Sequence, residues 1–235
     1  MRGHRRGDEG RVNLEADARG LVWIPGWICA VESDKDSGKS DSRPPNPSPS
    51  MNRDQAWSLL TEFTQSESLR KHALAVEAAM RHYAAHFGAD VDQWGATGLI
   101  HDFDYERWPE PPAHTREGAT ILRERGVDEE IIGAILSHAD WNQAEFPRDR
   151  PLRKALFAVD ELCGFVTAVA YVRPEKLTGM AASSVKKKMK QKSFAAAVKR
   201  EDIEQGAALL GLPLDDHISH VIAAMQDVAK ELGFA

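Results

Sequence analysis

The chain has 235 residues, 30 basic against 36 acidic side chains and a formal net charge of −6. Its apolar fraction of 42% rises to roughly 49% when glycine is counted, inside the globular range, which excludes a wholly disordered or fibrous chain. The negative balance excludes a polycation that coats nucleic acid, no apolar run approaches the ~20 residues of a membrane span, and two distant cysteines, Cys29 and Cys163, give no disulfide framework and point to a reducing cytoplasm.

Residues 1–50 show no sustained periodicity and close on a Ser/Pro/Asp tract with four prolines in six residues, so a disordered extension is expected there. A helical pattern begins at Met51, which is also a candidate functional start. Trp57, Leu60 and Phe63 predict a first helix entered at Asn52, a good N-cap. The stripe Leu69, Ala73, Val76, Met80, Tyr83 and Phe87 predicts a second, from Ser66 to a stop at Gly88. A third covers 91–102, with Trp94, Leu99 and Ile100 inward. A fourth covers 115–125 and ends at Gly126. A fifth runs over 128–139 with Asp128 as N-cap and Ile131, Ile132 and Ile135 buried. The segment 152–172 predicts a long helix through Leu156, Val159, Cys163, Val166 and Val169, with Arg153, Lys154 and Glu161 on its wet side. Weaker helices are expected at 183–199, 201–210 and 215–232. No strand alternation is visible, so the fold class is all-α, with 51–235 a single helical bundle and no internal repeat.

Six polar side chains interrupt these stripes. His72 lies three residues after Leu69 and four before Val76, so it faces inward. His101 and Asp102 close the run Leu99–Ile100, and His114 opens the fourth helix. His138 follows Ile135 by three and Ile131 by seven, and Asp160 follows Leu156 by four in the most apolar helix of the chain. An unpaired carboxylate there is expensive. A divalent ion offsets that cost, and imidazole nitrogen with carboxylate oxygen suits Mn, Fe, Co, Ni or Zn. Helical bundles assemble such centres from inward side chains on separate helices. One buried histidine is an ordinary core residue; four, with two aspartates, predict a metal site. The remaining histidines read as surface residues: His82 and His86 as a solvated i, i+4 pair, His217 and His220 near the start of the last helix, and His4 in the tail.

In order and context (LRKHALAVE, GLIHDFDYE, HTREGATIL, AILSHADW, KALFAVDEL) the set resembles the HD superfamily of metal-dependent phosphohydrolases over residues 53–172. It looks like the small bacterial HD-domain hydrolases and is similar to HD proteins that hydrolyse dinucleoside tetraphosphates. The resemblance implies an HD-domain helical bundle with its metal site between helices. It implies that His72, His101, Asp102 and Asp160 hold one ion, with Asp102 bridging, and that His114 and His138 mark the subset with a second. Two divalent ions (Mn, Fe, Co, Ni or Mg) and a small phosphorylated substrate are then expected, with water as the nucleophile.

Asp102 is the expected orienting carboxylate, and Asp104, Glu106 and Asp140 are candidates to protonate the leaving group because each lies near a ligand in sequence. Many family members carry a phosphate-contacting lysine in an HD-x-G-K pattern. This chain reads HDFDY, with Asp104 and Tyr105 there instead, so phosphate contacts are expected elsewhere. Arg70, Lys71, Arg107 and Arg116 lie close to proposed ligands, and Lys186 and Lys190 share a face within the basic block 183–200. That block has Phe194 as its single aromatic, so it lacks the stacking platform of a nucleic-acid binder. Two other readings stay open on the same ligands: a mixed-valent di-iron oxygenase of the superfamily, and a non-catalytic HD-type binding module.

Overall fold

The computed structural model describes residues 21–24, 27–30 and 51–234. The chain divides into two units, 1–46 and 47–235. In the first, strands β1 (Leu21–Ile24) and β2 (Trp27–Ala30) pair antiparallel, Leu21 opposite Ala30 and Ile24 opposite Trp27. This hairpin lies inside the stretch expected to be disordered; the rest of that stretch lies outside the described residues.

Residues 51–234 are helical, as the periodicity predicts. Helix α1 (Arg53–Phe63) starts in a capping box: the Asn52 side chain accepts from the Gln55 N–H and the Gln55 side chain accepts from the Asn52 N–H, both at 2.9 Å. Such a cap contributes ~1 kcal/mol. Helix α2 (Glu67–Phe87) is capped by Ser66 and ends at Gly88, whose φ of 68° is the left-handed conformation that glycine adopts without strain. Next come α3 (Val91–Ile100), α4 (Ala113–Glu124), α5 (Glu129–His138, capped by Asp128), a 3₁₀ turn at Asp140–Asn142, and α6 (Pro151–Tyr171). The C-terminal part holds α7 (Ala182–Met189), α8 (Arg200–Leu209), α9 (Leu214–Asp227) and α10 (Ala229–Leu232). Among the described residues no helix is long and apolar enough to cross a membrane.

Two predictions fail locally. The helix expected over 183–199 stops at Met189; the chain beyond it runs in turns, with Ala195 at a φ of 44° and the Arg200 guanidinium donating to the carbonyls of Phe194, Ala195 and Val198. Arg153, expected on the wet side of α6, is buried: it donates to the Pro147 carbonyl at 3.2 Å and fills the space left by Gly133, where a Cβ would stand 2.6 Å from its Nη2.

Two apolar cores form. One gathers Leu59 and Leu60 of α1, Leu99 and Ile100 of α3, Leu122 of α4 and Ile131 and Ile135 of α5. The other joins α2 and α6 to α8 and α9 through Val76, Met80, Leu156, Phe165, Ile203 and Val221. Each fully buried Leu, Ile or Phe contributes ~1.5–3 kcal/mol, so these cores, and not the polar cluster, hold the bundle. Helix α8 rests directly on α6: a Cβ on Gly206 would stand 2.6 Å from the Ala158 Cα. That close approach carries residues 199–202 to the side of α6 that bears Glu161.

Candidate metal centre

Five successive helices supply the six polar residues. His72 comes from the second turn of α2. His101 caps α3, and Asp102 follows it in the run of turns over 101–107. His114 stands at a kink at the start of α4, where Thr115 adopts a φ of 70°. His138 ends α5 and Asp160 sits midway along α6. Ligand atoms of His72, His101, Asp102 and Asp160 converge within 4.8 Å of one another, as do those of Asp102, His114 and His138, so the two sets share Asp102.

The donor geometry fits cations. Carbonyls can only accept, so His101 donates through Nδ1 to Gly98 (2.8 Å) and His138 through Nδ1 to Ile135 (2.6 Å), which turns both Nε2 atoms to the centre. His114 is oriented likewise by the Asp104 carboxylate, 3.0 Å from its Nδ1. His101 Nε2 is 3.4 Å from both Asp102 Oδ2 and Asp160 Oδ1. His114 Nε2 and His138 Nε2 are each 3.3 Å from Asp102 Oδ1. These gaps exceed the ~2.7–2.9 Å of a charge-assisted hydrogen bond. They match the spacing of about 3.0–3.4 Å between neighbouring ligands that each stand ~2.1 Å from an ion. Consistently, the buried His101 Nε2 and Asp102 Oδ1 have no hydrogen-bond partner, and a native fold rarely leaves such atoms unused.

Electrostatics agree. Burial alone pulls the His101 imidazole down, yet the charges of Asp102 and Asp160 lift it well above its ordinary range. Burial likewise opposes a charged His114, and the neighbouring carboxylates of Asp102 and Asp104 still raise it to about 9. Burial pushes Asp102 and Asp160 up, but the His101 charge and the surrounding imidazoles hold both carboxyls low. The cluster therefore stabilises positive charge, the property a divalent ion would use.

The catalytic carboxylates expected from sequence proximity divide. Asp102 is central. Asp104 turns away from the centre: it is buried and accepts from His114 Nδ1, the Thr115 N–H (2.8 Å) and the Gly118 N–H (3.0 Å). Glycine at 118 is what admits it, since a Cβ there would stand 2.7 Å from Asp104 Oδ2. Asp104 is thus a positioning residue for His114. Asp104→Asn is expected to weaken the ion held by Asp102, His114 and His138 by ~10–100-fold, while the other set changes little. Calorimetric metal titration checks this, and two unchanged affinities would remove the role. Glu106 is also corrected: it accepts from the N–H groups of Gln65 and Ser66, at 2.6 and 3.0 Å, and pins the approach to α2. Asp140 does line the cleft, but although burial pushes it up, hydrogen bonds from Arg148 and Lys199 hold it below its ordinary range.

Over the centre opens a cleft of about 230 Å³ lined by Asp102, His114, His138 and Asp160 together with Tyr105, Trp141, Phe157, Glu161, Lys199 and Asp202. None of the proposed phosphate contacts is there. Arg70 donates to the carbonyls of Thr61 and Thr64, Lys71 pairs with Glu67, and Arg107 donates to the Glu62 carbonyl while covering the Phe63 ring. Arg116 holds Asn142 and Glu145. Lys186 pairs with Asp215, and both it and Lys190 border a different pocket with Met189 and Leu214. From the basic block 183–200 the structure brings Lys199 to the cleft, and sequence reasoning missed Glu161 and Asp202. Glu161 neighbours Asp160 but was set on the wet face; burial first, then the charges of Asp160 and Asp202, raise its carboxyl to about 7.

The other histidines are not a solvated set. His217 is fully buried on α9: Tyr83 Oη lies 2.6 Å from its Nδ1, and its Nε2 donates to the Ala158 carbonyl at 2.9 Å. His82 and His220 are half-buried with ring nitrogens 2.8 Å apart, and only His86 is exposed. His4 lies outside the described residues.

Compared with known families, the HD domain matches the chain over residues 69–226. No curated protein and no solved structure matches it.

Proposed function

The chain belongs to the HD-domain family, and from that premise we propose that it is a metal-dependent phosphohydrolase that cleaves a phosphoester or phosphoanhydride in a small metabolite or nucleotide. The observation that carries this reading is Asp102, one carboxylate common to both ligand sets, with a buried oxygen that no hydrogen bond uses. His72, His101 and Asp160 would hold one ion with it, and His114 and His138 the other. When bound, divalent ions supply an acidified water and neutralise charge that builds on phosphoryl oxygens.

The chain's own groups supply the rest. Asp104, fixed by two backbone N–H groups, keeps the His114 ring turned to the centre. Phe157, buried beside the ligands, and the more exposed Trp141 and Tyr105 form the aromatic part of the cleft lining. Glu161 lines the cleft beside Asp160 and would protonate the departing oxygen, whereas Asp140 is occupied by Arg148 and Lys199.

Loaded with Mn, Co, Ni or Mg, the chain is expected to release orthophosphate from at least one compound in a panel of phosphorylated metabolites and nucleotides, under nitrogen as fast as in air. Turnover that needs O₂ would replace the hydrolase with an oxygenase. A cytoplasmic, small-molecule role, without nucleic acid or membrane partners, completes the proposal.

A further inference from the structure

We infer that Lys199 is the side chain that receives the anionic group of the substrate, leaving an ion pair with Asp140 to do so. The inference rests on the phosphohydrolase reading of the same cleft and assigns the phosphate contact that HDFDY lacks.

Lys199 is the one lysine or arginine among the residues that line the cleft, against the carboxylates of Asp102, Asp140, Asp160, Glu161 and Asp202. Its side chain is 59% exposed, so the ammonium can move without leaving an apolar packing site empty. Its backbone is fixed from two sides. The following residue, Arg200, ties the preceding turns through three carbonyls, and the Lys199 carbonyl accepts from the Asp202 N–H at 3.2 Å in the first turn of α8. A long flexible stem on a fixed base gives the ammonium a defined arc over the ligands.

Its present partners can release it. The ammonium lies 3.1 Å from Asp140 Oδ2 and 3.7 Å from Asp202 Oδ2. Asp140 has a second cation, Arg148, 2.8 Å from its Oδ1, and Arg148 is itself anchored on the Ser137 and His138 carbonyls and over the Phe157 ring. Asp140 therefore stays paired when Lys199 moves to a phosphoryl oxygen, and no buried charge is stranded. The other basic residues weighed as phosphate contacts are engaged by partners elsewhere or border another pocket, so they do not compete for the role.

Orthophosphate is the probe, titrated calorimetrically into the Mg- or Mn-loaded chain. Lys199→Ala is expected to weaken its binding on the order of tenfold or more, the loss of one charge-assisted hydrogen bond, with metal content unchanged and part of the affinity restored by Lys199→Arg. Asp140→Asn, which removes the competing carboxylate, is expected to tighten it. Equal affinity in Lys199→Ala overturns the assignment and leaves the hydrolase reading standing. Weaker binding in Asp140→Asn overturns the exchange. A wild-type chain that takes up metal but no orthophosphate overturns both.

Discussion

Asp102→Ala is expected to abolish phosphate release, a fall on the order of 10³-fold or more, and to leave the chain with at most one bound ion. The physical reason is that two sets share this residue. Removing His72 or His138 would deprive one ion of one ligand, but removing Asp102 takes a charged corner from both. A fall of that size corresponds to ~4 kcal/mol of transition-state stabilisation, in the range that Lewis-acid charge neutralisation supplies. The variant should fold, because the two apolar cores, and not the polar cluster, hold the bundle together. Metal content, circular dichroism and turnover on the same preparation are the measurements. A folded variant that turns over within about tenfold of the wild type would move the chemistry away from this centre.

The second large effect concerns stability and acid. Burial, with a smaller contribution from the charge of His220, pulls the His217 imidazole down to about 4, while its bond to the Ala158 carbonyl opposes the shift. An unfolded histidine titrates near 6.5. Above that pH both states are neutral and His217 costs nothing. Below it the unfolded chain takes up a proton that the folded chain refuses, so stability falls from about pH 6.5 towards pH 4 and then levels. The loss is about 2–3 kcal/mol by pH 4.5, a large share of a typical 5–15 kcal/mol. Half-buried His82 and His220 are lowered in the same direction. Urea unfolding at about pH 7.5 and about pH 4.5 separates His217 from the carboxylates that titrate in the same window when wild type is compared with His217→Gln. The glutamine variant should start less stable and lose less on acidification. Parallel losses in the two chains would show that the imidazole is not the sensitive group.

The helices and the ligand set were legible because both are written locally. Asn52, Ser66, Gly88 and Asp128 bound their helices by chemistry that spans at most a few residues, and His72, His138 and Asp160 each break an apolar stripe of known period. The supporting residues were not legible in that way. Asp104 and Glu106 stand two and four places after Asp102, but the chain turns tightly over 101–107 and sends their carboxylates to the starts of α4 and α2. Sequence distance therefore misjudged both. Arg153 is buried only because Gly133, twenty positions earlier, leaves room, and Lys199 reaches the cleft only because Gly206 lets α8 lie on α6. His217 depends on partners 134 and 59 positions away. The β1–β2 hairpin had a local signal, two apolar runs around Pro25–Gly26, which helical periodicity is not built to detect.

The seating of α8 on the bare backbone at Gly206 divides the cleft into a floor and a roof that come from different stretches of chain. The candidate ligands belong to residues 72–160, whereas Lys199 and Asp202 stand at the start of a later helix whose height is set by one missing methyl group. Substitutions in that overhang can reshape which molecules are admitted while the ligands beneath keep their spacing. Selectivity and reactivity are in this way free to drift separately in one small bundle.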